Sequence, residues 1–244
     1  MTSELRILPL AGLPEIRAGD DLGALVAAAA ELDDDDVVVI AQKIVSKAEG
    51  RVVRLDELEP SERARELATE DVDAQHIEAI LRESKRIVRT RAGFVIAETQ
   101  HGFVCASAGI DASNAPEPGT LVLLPVDPDA SARAIRARLK ELTGRTVAVI
   151  VSDSFGRPWR QGTTDVAIGV AGIAPLLDLR GRRDASGYEL QSTQIAVADE
   201  LAGAAELVMG KTDGVPGAVI RGLEPHGDGT ARDLVMPAQR DLFR

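Results

Sequence analysis

The chain has 244 residues, of which 45% are hydrophobic and only 2% aromatic, so one large domain or two small lobes can bury an aliphatic core without covalent staples. Its 28 basic and 39 acidic residues give a formal charge of −11, which repels nucleic acids and anionic membranes and leaves only locally gathered cations to hold an anionic ligand. The lone Cys105 excludes an internal disulfide or a multi-cysteine metal site, and neither a leader pattern nor a run approaching roughly 18 apolar residues is present, so a soluble cytoplasmic protein is expected.

In chain order, "LRILPLAGLPEI" reads as a short strand running into a Gly/Pro turn. "DDLGALVAAAAEL" reads as a helix capped by Asp20 or Asp21. The acid run Asp33–Asp36 reads as a solvated turn before a buried strand, Val37–Ile40, after which the chain turns polar at Gln42, Lys43, Ser46 and Lys47. "SERARELATEDVDAQHIEAILRES" has helical composition, with a break near Asp71–Asp73 and a cap at Ser61. "RIVRTRAGFVIAETQHGFVCASAG" alternates like two strands joined at "TQHG". "SARAIRARLKELTG" is an amphipathic helix closed by Gly144, and "TVAVIVSDSFGRPW" is a strand followed by a loop. An Ala-rich helix then ends near Gly210, and "GAVIRGL" is a last strand. Neither a repeat nor a linker divides residues 1–244. The pattern predicts one mixed α/β (α+β) domain, with mixed sheets in two intimately joined lobes.

Chemistry-bearing residues gather where apolar runs end. In "VAVIVSDSFGRPWRQG" the strand runs into Ser152, Asp153 and Ser154, the position at which open α/β sheets bind ligands. Carboxylate and hydroxyl oxygens suit Mg²⁺ or Mn²⁺, and Arg157 and Arg160 follow within reach of phosphate oxygens. Alone, Asp153 serves a cap as readily as a site; with the hydroxyl and the paired arginines it favours a site. "GIDASN" offers Asp111, Ser113 and Asn114 in the same way, or else forms an Asx-turn. "AQKIVSKAEGR" supplies Lys43, Lys47 and Arg51, which are either phosphate contacts or a solvated basic turn. Phe155 and Trp159 flank the Asp153 loop as stacking groups or as core plugs.

Other features carry less. "AELVMGKT" approaches the phosphate-loop pattern, but Ala205 replaces the first glycine and the preceding residues are helical, so a phosphate loop is excluded; Gly210, Lys211 and Gly214 remain as a ligand-contacting loop. His76, His101 and His226 are too scattered for zinc, and Cys105 reads as a small buried residue.

The stretches "LPLAGLPEI", "VSKAEGR", "AGIDASN", "LLPVDPDASA", "VSDSFGRPWRQG" and "VADELAGAAELVMGK" resemble, in order and over nearly the whole chain, the coenzyme F-420 γ-glutamyl ligase family. The resemblance implies a homodimeric, GTP-dependent ligase that joins L-glutamate to coenzyme F-420-0, or its dehydro form, and extends a γ-linked tail. It implies Mg²⁺ or Mn²⁺, with K⁺ as a helper. By position, nucleotide contacts fall on Leu13, Pro14, Glu15, Ile16, Gln42, Lys47 and Asn114, metal ligands on Asp111, Asp153 and Ser154, and catalytic roles on Asp111, Asp153 and Lys47. Gln42 stands where relatives often carry serine, and archaeal relatives carry an acidic residue near Lys211 in a Gly-rich loop that here is the shorter "GKTDG", so the resemblance leaves the coordination of a second metal open. The nitroreductase-like domain that follows in many actinobacterial relatives is not expected. A metal-dependent phosphohydrolase and a guanine-nucleotide-binding regulator are the rival readings. Neither requires a peptide product.

Overall fold

The computed structural model describes residues 4–242; the ends of the expected domain, residues 1–3 and 243–244, lie outside the described residues. In chain order the strands are β1 (Arg6–Pro9), β2 (Val37–Ala41), β3 (Val52–Arg54), β4 (Ser84–Arg91), β5 (Phe94–Thr99), β6 (Val104–Ala106), β7 (Thr120–Val122), β8 (Ala148–Gly156), β9 (Thr163–Ala171), β10 (Leu177–Asp178), β11 (Gln194–Ile195) and β12 (Gly217–Arg221). The helices are α1 (Leu22–Ala29), α2 (Gln42–Ala48), α3 (Glu62–Leu67), α4 (Ala74–Glu83), α5 (Pro128–Thr143) and α6 (Val197–Met209). The class is mixed α/β, as expected.

The central sheet has the order β1-β12-β2-β8-β9, with only β2 and β8 parallel. Both central strands are buried on both faces, which is why their sequences run apolar without alternation. One face, with Val38, Ile40, Val149 and Val151, packs on α1 and α5; the other, with Val37, Val39, Ala148 and Ile150, packs on α6. Each of these valine and isoleucine side chains contributes about 1.5–3 kcal/mol when fully buried. A smaller core around Ile77, Ile80, Val95, Leu121 and Leu123 joins α3 and α4 to strands between β3 and β7.

Local chemistry fixes the helix ends. Asp21, not Asp20, caps α1 by accepting the Ala24 N–H at 2.9 Å, and Ser61 caps α3. In α5, Asp127 caps a first turn opened by Pro128, and Gly144 closes the last turn in the left-handed conformation. Edge strand β9 is covered from outside: the N–H groups of Asp165, Ala167 and Val170 donate to the carboxylates of Glu206, Asp199 and Asp129. These side chains satisfy donors that a bare edge would leave open.

Several expectations are corrected. The polar stretch after β2 is helix α2, not a turn, because Ile44 and Val45 find the core on one helical face. The region expected to hold two strands holds three: β4 and β5 turn at Ala92–Gly93, both at positive φ, and β5 and β6 turn over the expected "TQHG". Strand β8 continues through Gly156, so Asp153 and Ser154 lie within it, held by pairing with β9, which has no counterpart among the expected elements. The acid run is not wholly solvated: Asp36 is 1% exposed and accepts Arg221 Nε and Nη2 at 2.9 and 2.7 Å.

Candidate functional site

Register brings one set of loops to one edge of the sheet. Strands β2 and β8 both end there, β1 ends there, and β9 and β12 begin there, since Pro9 faces Ala218, Gly217 faces Ile40 and Thr163 faces Gly156. The edge is therefore bordered by 10–16 after β1, by the start of α2, by the Asp153 end of β8 and by 210–216 before β12. Residues 107–114 reach it from the smaller core.

Those residues are held in place. Asp111 exchanges backbone hydrogen bonds with Val122, and its Oδ1 accepts the Ser113 N–H at 2.6 Å, so the Asx-turn and the site position coexist. Ser107 and Ala108 both take positive φ, at 52° and 53°, a conformation that costs non-glycine residues of order 1 kcal/mol each. Gly109 has no alternative: a Cβ there would sit 2.7 Å from Leu124 Cδ1.

Lys43 Nζ lies 2.6 Å from Asp111 Oδ2 and donates to the Ser113 hydroxyl and carbonyl at 2.6 and 3.0 Å. Burial draws the Lys43 pKa down against the pull of Asp111. Burial also pushes Asp111 up, but the Lys43 and Ser113 hydrogen bonds outweigh it and leave Asp111 below the ordinary range. Lys211 Nζ stands 3.8 Å from the same carboxylate, and Asn114, at φ 54°, donates to the Lys211 carbonyl at 3.4 Å.

Asp153 differs. Burial raises its pKa to about 7, and the charges of Asp165 and Asp111 add to the rise against the Ser154 N–H and Lys43. Asp165, 5% exposed, accepts the hydroxyls of Ser152 at 2.8 Å and Ser154 at 2.6 Å and has no ion pair among the described residues. Three carboxylates thus share this edge, with Lys43 the close cation and Lys211 at a distance. Asp165 was not among the expected site residues. The run "DVAIGVA" between Gly162 and Gly172 carries a strand signal that could have found it, by pairing it across a short turn with Ser154.

The expected nucleotide residues converge on the same edge. Lys47, 7% exposed, pairs with the outlying Glu15 at 2.5 Å. Ile16 is buried and Leu13 packs on the core, so they shape the loop, while Pro14 stays exposed. Gln42 is buried; its Oε1 accepts the Ser46 hydroxyl at 2.9 Å, and its Nε2 has no partner among the described residues. A buried amide donor left open costs about 1–3 kcal/mol unless a ligand accepts from it.

Other expected contacts are used elsewhere. Arg51 donates to the Leu124 carbonyl and pairs with Glu83 at 2.7 Å, joining the two cores. Arg157 donates to the Gln161 and Gly162 carbonyls and so closes the β8–β9 turn, on which Arg160 and Trp159 are exposed. Phe155 packs on the core, edge-on to Phe103. Cys105 is buried, with its thiol pKa pushed up to about 12 by burial. Around Lys211 the order is helix, loop, strand, the reverse of a phosphate loop.

Among the described residues, no three His, Cys, Asp or Glu side chains form a ready metal cage. The donor set nevertheless suits a hard divalent cation. Asp111, Asp153 and the Ser154 oxygen are hard ligands, Asp153 has no ion pair among the described residues, and Mg²⁺ commonly takes one or two carboxylates and completes its shell with substrate phosphates. The Ser154 hydroxyl proton is already directed at Asp165, which leaves the oxygen lone pairs for a cation.

Residues 12–222 match the model of the F420-0:Gamma-glutamyl ligase family. The chain is 49% identical to the coenzyme F420:L-glutamate ligase of Methanopyrus kandleri, over 98% of each chain. It is 47% identical to the protein of that name from Methanothermobacter thermautotrophicus, over 98% of this chain and 99% of the relative, and 43% identical to that from Methanocaldococcus jannaschii, over 100% of each. The chain belongs to the F420-0:gamma-glutamyl ligase family.

Proposed function

We propose that the chain is a GTP-dependent ligase that attaches L-glutamate to the terminal carboxylate of coenzyme F-420-0 and extends a γ-linked glutamate tail. The observation that carries this reading is the convergence at one sheet edge of an acid surplus (Asp111, Asp153, Asp165), two buried or part-buried lysines (Lys43, Lys47) and the open donor of Gln42. A nucleotide triphosphate with its metal fits that balance, while a bare anion does not.

The chemistry needs an activated acyl group, because a carboxylate would have to expel oxide. A carboxylate oxygen of the acceptor attacks the γ-phosphorus, the β–γ bridging P–O bond breaks, and GDP leaves with the bond electrons. The glutamate amine then attacks the acyl carbon, phosphate departs with the C–O electrons, and the amine loses its proton as the amide forms. A divalent cation held by Asp111, Asp153 and Ser154 would supply charge neutralisation to the phosphoryl oxygens. Lys47 and Lys43 hold phosphate oxygens, Gln42 Nε2 donates to the nucleotide, and Asn114 with the Lys211 loop closes over it. Mg²⁺ or Mn²⁺, a helper K⁺ and a homodimer belong to this reading.

Mass spectrometry of the protein with F-420-0, GTP, glutamate and Mn²⁺ tests it: one GDP and one phosphate should appear for each glutamate added to the acceptor. Phosphate release without acceptor and glutamate would favour the phosphohydrolase reading, and nucleotide binding without product would favour the regulator. In calorimetry, GTP affinity should collapse in chelator and change only modestly between low and physiological salt. Tight binding in chelator would remove the metal from the scheme.

A further inference from the structure

At the opposite end of the sheet, α5 and the turns at Thr146–Val147 and Gly172 enclose a concavity of about 320 Å³. Six residues of extended chain separate Val147 from Asp153, about 20 Å. The walls carry Arg133, Arg136 and Lys140 against a single carboxylate, Asp228. That is a local surplus of two positive charges in a chain of net charge −11.

Arg136 is fixed in advance. Its Nε–H donates to the Val147 carbonyl at 2.7 Å. Its guanidinium lies close against Gly172, where a Cβ would come within 2.3 Å of Nε and 2.7 Å of Cζ. Gly172 has φ 75°, and its N–H donates to Asp228 Oδ1 at 3.1 Å. Among the described residues Arg136 and Lys140 make no ion pair, and Arg133 has only a 3.9 Å approach to Asp127. Asp34, which acts on Lys140 at a distance, is itself paired with Arg145 at 3.2 Å. The neighbouring arginine of the same helix shows the contrast: Arg138 is paired with both Asp21 and Glu141 at 2.7 Å. In so acidic a chain, a helix face serving only as solvated surface would find such partners, and the Arg138 face does. Pinning Val147 accounts for Arg136 Nε but not for the two ends of its fork, which have no partner among the described residues, nor for Arg133 and Lys140 beside it.

We propose that this concavity is a second anion site that takes a doubly charged phosphate-type oxyanion. A planar guanidinium with its ends free matches two phosphate oxygens, and the flanking cations favour a dianion over a monocarboxylate. The proposal stands apart from the reading of the nucleotide edge, which uses none of these residues. Inorganic phosphate and the phosphoryl end of a larger metabolite share this chemistry.

Calorimetry with inorganic phosphate and with glycerol phosphate, in chelator, tests the site. Wild-type protein should bind one equivalent with a dissociation constant on the order of 1 mM or below. The double variant Arg133→Gln/Lys140→Gln keeps the Arg136–Val147 bond, so it should unfold at the wild-type temperature yet bind about tenfold more weakly, a loss of about 1.4 kcal/mol. Arg136→Gln should abolish binding. Tighter glycerol phosphate would mean an esterified ligand, and tighter inorganic phosphate a free one; either supports the site. Equal affinity in wild type and double variant, or no saturable binding of either probe, overturns the proposal. So does an Arg136→Gln variant that is merely less stable while wild type ignores phosphate.

Discussion

The two ends of the central sheet handle buried acid in opposite ways. At the start of β2, Asp36 is enclosed and met by two guanidinium nitrogens of Arg221, whose third nitrogen reaches Asp33 at 2.9 Å. At the far end of β8, Asp165 is also buried but, among the described residues, its carboxylate meets only serine hydroxyls, and Asp153 is held at a pKa of about 7 by burial and by its neighbours' charges. A protein optimised for stability alone would neutralise both ends. Leaving one end in deficit keeps a place for charge brought from outside.

The sharpest break in this comparison is Asp153→Asn. Ligation should fall about a thousandfold or more, several kcal/mol at the barrier, while the melting temperature holds or rises because the amide no longer resists burial. Steady-state product formation together with calorimetric melting checks both halves. Clear destabilisation would mean that Asp153 is a structural acid like Asp36.

Arg221→Ala should do the reverse. It leaves Asp36 enclosed without a counter-charge, so urea unfolding should show a loss of about 3–5 kcal/mol, with turnover per folded molecule nearly unchanged. If stability barely moves, the two ends are not different in kind.

Asp165→Asn sharpens the comparison from inside the site. An amide cannot accept both serine protons as the carboxylate does, so Ser154 loses its set orientation. Titrating Mn²⁺ by electron paramagnetic resonance in the presence of GTP should show affinity about 10–100-fold weaker. Unchanged affinity would remove Asp165 from the site.

A paired acid in the smaller core adds a pH test. Hydrogen bonds from the Ser61 side chain, Arg82 and the Ser61 N–H hold Glu78 at about 2, below the ordinary glutamate value. Its contribution is therefore fully present above the unfolded value of about 4.3 and is lost as pH falls toward 2. Glu78→Gln should flatten that part of the acid-unfolding curve. An unaltered slope would show that the pairing stores nothing.

The smallest effect is expected at Lys211→Ala. At 3.8 Å from Asp111 on an exposed loop, Lys211 adds a screened charge, so GTP affinity should change no more than about threefold. A near-total loss would make this lysine a true phosphate ligand.

The sequence by itself determined much of this. An apolar run without alternation marked the buried strand at Val37–Ile40, Gly144 marked a helix end, and the polar residues ending two apolar runs singled out Asp111 and Asp153 as candidates. Those signals are local, set by backbone preference and by the need to bury aliphatic side chains. Which charges are consumed and which are left over was decided by tertiary structure alone. Arg51 and Lys43 look alike in "AQKIVSKAEGR", yet one is taken by Glu83 and Leu124 while the other reaches Asp111. Asp36 and Asp153 are each an acid beside a valine-rich strand, but Asp36 finds Arg221 across 185 residues of chain and Asp153 finds further acids. Solvation and pairing depend on atoms within a few ångströms, and the chain brings those atoms together from places that no local pattern connects.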